Sequence, residues 1–244
     1  MPTITALEEG AFTIDHTKKF IPFNVELDDL QQRSKGSLLV EIQPFLVITA
    51  NDILLIDTGL GFTGEDGKLQ IHHNLSKHGI NPSDVTKVLV SHLHNDHSGG
   101  LAFPNKKIAA FENATYYINK QEWEFAQEKD SSSYKVENFK FLERSKNLQL
   151  IEGNGVIDGY IHYELTGAHC PYHQVFKIIE DDQIIFFGGD EAPQLQQMKS
   201  RFKAKYDFDG EKSMNLRKQW WKEGEEEKWT FLFYHDIKYP TYSF

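Results

Sequence analysis

"TKVLVSHLHNDHSGG", residues 86–100, runs from a short β-branched apolar segment straight into three histidines and an aspartate, and then into two glycines. The apolar part reads as a strand that delivers His92 at or near its end. In an extended segment side chains alternate, so His92 and His94 point to the same side and two imidazoles can grip one ion. Asp96 and His97 follow where the chain turns, so their side chains can face a second ion beside the first. Gly99 and Gly100 let the backbone turn tightly next to the cluster. Taken alone, the same string also reads as exposed loop histidines with an aspartate capping a helix.

Three later strand ends weigh against that blander reading. His169 ends "YELTGAH", Asp190 ends "IIFFGGD" and His235 ends "TFLFYH", each placed just after apolar residues that would bury it. Upstream, residues 38–62 read as two strands rich in Val, Ile and Leu, separated by a turn at Ala50-Asn51-Asp52 and ended by Asp57-Thr58-Gly59. Leu69, Leu75 and Ile80 fall at helical spacing, with Gly79 and Pro82 as stop signals. A strand through Tyr116-Tyr117-Ile118 leads into a helix carrying Trp123 and Phe125. Segment 127–145 is polar and reads as a surface excursion. Between the last two strands, "SMNLRKQWWKEGEEEKW" has charges at helical intervals, with Trp220 and Trp221 inward. Strands in both halves with helices between them imply an α/β fold of two sheets packed face to face, helices outside. No stretch looks like a linker, so residues 1–244 are expected to form a single domain.

The chain has 244 residues, 39% of them hydrophobic and 25% charged, enough apolar content for a core without disulfide staples. A net charge of -10 argues against nucleic acid as a partner, because a phosphate backbone calls for a basic face. The single cysteine, Cys170, excludes an internal disulfide and a Cys-rich zinc fold, so a metal site must rest on His and carboxylates. Cys170 itself reads as a small buried residue. The N-terminal residues show no basic start followed by an apolar segment, and no run approaches a membrane span. The expectation is a cytoplasmic protein with no membrane partner.

The string His92-x-His94-x-Asp96-His97, with Asp57 in "LLIDTG" before it and His169, Asp190 and His235 after it, resembles the metallo-β-lactamase superfamily from about residue 38 to the C-terminus. The resemblance implies an αββα sandwich of two mixed β-sheets with a dinuclear site at one edge. His92, His94 and His169 would hold one ion, Asp96, His97 and His235 the other, and Asp190 would bridge. It makes Asp57 a residue that orients a ligand histidine, against the alternative of a turn-capping aspartate before Thr58-Gly59. His173 matches the second histidine of a "GHTPGH"-like turn and supports the site from behind. Imidazole and carboxylate ligands suit two divalent ions, zinc first, with iron or manganese also accommodated. Two ions about 3.5 to 4 Å apart can hold a bridging hydroxide as nucleophile. Asp96 is then a proton acceptor, and Asp96 and Asp190 are the catalytic carboxylates.

The pattern is similar to the N-acyl-homoserine lactonase and small-ester hydrolase group, which implies a small-molecule ester or lactone as substrate. That group often carries a Tyr three residues after the bridging Asp, where this sequence has Pro193, leaving Tyr163 or Tyr172 as substitutes. Two other readings use the same residues: hydrolysis of a phosphodiester or organophosphate, and a single-iron persulfide dioxygenase. His72, His73 and His78 read as a solvated helix face, and segments 20–36 and 127–145 are expected to carry specificity. The aromatic residues Phe20, Phe23, Trp123, Phe139, Phe141 and Trp220 read mainly as core, with an apolar pocket as the alternative.

Overall fold

Strand Ile53–Ile56 shows how the layers arise, because its side chains alternate between two different cores. Leu54 and Ile56 face one cluster of buried residues, and Leu55 faces another. The computed structural model describes residues 1–103, 108–129 and 131–244. In it, six strands form a first sheet in the order Thr3–Ala6, Phe45–Ile48, Ile53–Ile56, Lys87–Leu89, Thr115–Asn119, Leu148–Ile151. The first two pairings are antiparallel and the remaining three parallel. A second mixed sheet follows in chain order: Gly155–Ile157, Ile161–Leu165, Gln174–Glu180, Gln183–Phe187, Thr230–Leu232 and Thr241–Ser243.

Between the sheets, Val47, Leu54, Ile56 and Leu89 meet Phe176, Ile178, Ile185, Phe187 and Leu232. On the far side of the first sheet, Leu55, Val88 and Tyr116 pack with Ile71 and Leu75 of helix Gln70–Lys77 and with Trp123 of helix Lys120–Glu128. On the far side of the second, Val175, Phe186 and Phe231 pack with Trp220 of helix Gly210–Glu227. The result is the expected helix–sheet–sheet–helix order.

Parallel pairing decides where the functional loops emerge. Ile56 pairs with Leu89, so the chain leaves both strands at the same sheet edge, into Asp57 and into the 90–97 stretch. In the second sheet Phe187 pairs with Leu232, and Asp190 and His235 follow three residues later at one edge. The backbone N–H of Gln174 donates to the Ser91 carbonyl and its side chain to that of Val90, tying the two edges together.

The structure departs from the sequence reading in three places. Residues 38–56 form three strands, because Pro44 has no N–H to continue a ladder. Leu38–Ile42 pairs instead with Gly10–Ile14 in a three-stranded sheet, and the Gln43 side chain donates to the Phe233 and Asp236 carbonyls. Segment 127–145, described apart from residue 130, is no surface excursion: Tyr134, Phe139 and Leu142 are buried in the first-sheet core. Its polar residues face outward from short 3-10 turns at Val136–Asn138 and Lys140–Arg144, a pattern without helical or strand period. His72 is buried, with Phe103 and Phe111 rings each 5.3 Å away, while His73 bonds Asp66 at the surface. Among the described residues no helix is long and apolar enough to cross a membrane.

Candidate metal centre

All seven residues read as ligands converge at the edge where the sheets meet. They fall into two groups of inward-facing atoms, His92, His94, His169 and Asp190 in one and Asp96, His97 and His235 in the other. In the first, His94 Nδ1 lies 2.9 Å from His92 Nε2 and 3.2 Å from His169 Nε2. In the second, Asp96 Oδ2 lies 3.7 Å from His97 Nε2 and 3.6 Å from His235 Nε2. Asp190 reaches both: Oδ2 is 3.2 Å from His169 Nε2, and Oδ1 is 3.1 Å from His97 Nε2 and 2.9 Å from His235 Nε2.

The outer nitrogen of four of these rings is held by a partner. His97 Nδ1 donates to Asp57 at 2.7 Å, His169 Nδ1 to Asp207 at 3.0 Å, and His235 Nδ1 to the Glu41 carbonyl at 2.7 Å. Ser91 Oγ donates to Asp57 and so accepts from His92 Nδ1 at 3.1 Å. With the proton on Nδ1, each ring turns its Nε2 lone pair inward. Ring nitrogens that converge in this way call for a shared cation, a proton or a metal ion. His97 Nε2 and Asp190 Oδ1 make the same point, being buried, face to face and without a hydrogen bond.

Charge leads to the same conclusion. Burial alone would lower His97, His169 and His235, yet Asp190, helped by Asp96 and Asp57 at His97, by Asp207 at His169 and by Asp96 at His235, holds each above the ordinary histidine value. Burial dominates at His92, His94 and His173 and keeps these rings neutral, the form that binds metal. The donor set therefore fits metal ions.

Asp57, with a left-handed φ of 56°, also accepts from the Ser91 backbone, so one carboxylate fixes both His92 and His97. His173 lies behind the cluster and its Nε2 accepts from the Asp190 backbone N–H at 3.2 Å. Gly189 is obligatory beside it, since φ is 50° and a Cβ would press on the His173 ring. The glycine pair has a different purpose from the tight turn expected: Gly99 has an ordinary helical φ of -60°. A Cβ on Gly99 would strike the Leu60 carbonyl and one on Gly100 that of Thr58, so the glycines let loop 97–100 lie against loop 57–61. Pro193 fixes His235 by accepting its backbone N–H at 3.0 Å.

Other residues at the site carry no sequence signal. Glu191 accepts from the Ala168 and His169 backbone, and Glu122 from Leu93 between His92 and His94. Asp207 sits in a loop between Tyr206 and Phe208 and not at the end of an apolar strand, 38 positions from the ring it holds. Tyr134, Tyr206 and Tyr234 pack on His94, His169 and His97, with ring centroids 4.8, 6.0 and 4.1 Å away. Of the phenols expected from sequence, the Tyr163 hydroxyl lies over Gly155, and the Tyr172 ring packs on Phe125 at 5.7 Å.

Known proteins share this fold. Residues 41–218 match the metallo-beta-lactamase superfamily, and the chain belongs to that family. A curated N-acyl homoserine lactonase from Bacillus cereus is 27% identical over 164 residues; the match covers 59% of this chain, which spans about 60% of the length of that relative. A probable metal-dependent hydrolase from Staphylococcus aureus superposes with a TM-score of 0.82 at 24% identity, over 99% of this chain and 92% of that one. AidC, described as a dizinc quorum-quenching lactonase, superposes at 0.74 with 18% identity, over 98% and 89%. These likenesses establish the metallo-β-lactamase fold.

Proposed function

We propose that the chain is a hydrolase acting on a small ester or lactone at a dinuclear metal centre. His92, His94 and His169 would hold one ion and Asp96, His97 and His235 the other, with Asp190 facing both sets. The observation that carries the reading is the placement of Asp190, whose two oxygens each face a different set of imidazoles. The lactonase relative and the dizinc lactonase of like fold support the choice of chemistry.

Two bound divalent ions would supply an activated water and polarise the attacked carbonyl. The chain does the rest. Asp57, Asp207 and Glu41 hold the rings in the geometry that binding requires. Asp96, whose side chain remains 14% exposed, is the acceptor for the water proton at the mouth of the site. No Ser or Cys nucleophile is called for, and Cys170 is buried against Glu122, with burial and that carboxylate raising its thiol well above the usual range.

The deciding experiment is elemental analysis of protein purified without a metal-affinity tag, beside assays on a lactone, an aryl ester and a phosphodiester. About two ions per chain, with ester or lactone turnover lost on chelation, is the expected result. Phosphodiester turnover alone would overturn the substrate class. One iron per chain without hydrolysis would overturn the hydrolase reading in favour of persulfide oxidation.

A further inference from the structure

We propose that Tyr206 is a catalytic residue for the hydrolase reading above, on which this inference rests, its phenol giving the proton that a departing alkoxide requires. An alkyl ester leaves as a strong base, and a site that stabilises only the attack stalls at this step. The Nδ1 protons of His92, His97, His169 and His235 are tied back to Ser91, Asp57, Asp207 and the Glu41 carbonyl. Three phenols pack on the site histidines. Tyr234 is fully buried and its hydroxyl donates to the Asp96 carbonyl at 2.6 Å. The Tyr134 hydroxyl is buried behind His94 on the side of Glu122 and Cys170.

Tyr206 differs from both. It is 37% exposed, and its ring and that of His169 meet edge to face at an interplanar angle of 68°. Its position is rigid: the Phe208 N–H donates to the His169 carbonyl at 3.0 Å, the Asp209 N–H to the Ala168 carbonyl at 2.8 Å, and Asp207 holds the His169 ring. Burial raises the phenol above its ordinary value, the Asp190 and Asp207 charges raise it further and the Gln197 side chain lowers it, which sets these groups around the hydroxyl. At neutral pH a phenol carries its proton.

The step balances. The water oxygen forms the new bond to the carbonyl carbon, and its proton goes to Asp96. The ester C–O bond breaks with its electron pair going to the alkoxide oxygen, which takes the Tyr206 proton. The Asp96 proton returns to the phenolate, and the product carboxylic acid ionises to solvent.

The test compares Tyr206→Phe with the unaltered chain on ethyl butyrate and p-nitrophenyl butyrate, which share an acyl group but differ in leaving group, with metal content and thermal unfolding measured in parallel. The expected result is a loss in kcat of about 100-fold on the ethyl ester, a change under about threefold on the p-nitrophenyl ester, whose phenolate leaves unaided, and unchanged metal content and unfolding temperature. Equal losses on both esters, or none on either, would overturn the role of Tyr206 alone. Failure of the unaltered chain to hydrolyse either ester would overturn the hydrolase reading and this step with it.

Discussion

Asp207 and Asp57 perform one task from opposite sheets. Each buried carboxylate takes the outer N–H of a site histidine and leaves the inner nitrogen free to bind. Asp207→Asn keeps the shape and removes the charge that sets the tautomer. It should weaken metal binding by about 10- to 100-fold, read by competition with a chelator; unchanged affinity would make Asp207 a loop anchor only. Asp57 was legible through the family resemblance of the "LLIDTG" strand end, whereas Asp207 lies in an irregular loop that matches no such motif. Glu9 was equally silent. It is buried with one oxygen accepting from Leu60 N–H, the other has no partner, and burial raises its carboxyl to about 7. Between about pH 4.5 and 7 the folded chain keeps a proton that the unfolded chain has lost. Stability therefore falls as pH rises through that window, by roughly 3 kcal/mol for this group. Glu9→Gln should flatten that part of the profile in urea unfolding at pH 5 and pH 8; an unaltered slope would assign the dependence to other groups.

Elements that looked alike in composition turn out to have opposite roles. Segments 20–36 and 127–145 are both polar stretches without period, and sequence alone treats them as equivalent candidates for specificity. The first exposes Val25, Leu27 and Leu30, while the second buries Phe139 against Trp123 with ring centroids 5.2 Å apart. It also braces the ligand loop, since the Asn95 N–H donates to the Ser133 carbonyl and the Asn138 side chain to Asn95. Phe139→Ala should cost about 3 to 5 kcal/mol, whereas Leu27→Ser should stay within about 0.5 kcal/mol. Chemical denaturation of both variants checks this, and similar costs for the two would refute the distinction. The long strands were legible because apolar alternation is a local signal. The break at Pro44 was not, because what replaces the ladder there is a set of bonds to residues 233 and 236.

For the whole molecule, the site is the place where the two sheets bring four carboxylates together. The first contributes Asp57 and Asp96, the second Asp190 and Asp207; Asp96 and Asp190 face the inner nitrogens of the imidazoles, Asp57 and Asp207 the outer ones. Without cations, protons on His97, His169 and His235 must balance those charges, and burial opposes each of them. Cations that bind the folded chain and not the unfolded one stabilise it by mass action, about 4 kcal/mol at a thousandfold excess over the dissociation constant. For a chain of this size that corresponds to a shift in melting temperature on the order of 10 °C. Scanning calorimetry before and after chelation, and again after adding back zinc, should show that loss and its recovery. The same scans on Asp190→Asn should show a much smaller metal-dependent shift, because the group that faces both imidazole sets has lost its charge. If chelation leaves the melting temperature of the unaltered chain unchanged, the convergence of these side chains is held by hydrogen bonds alone and not by metal.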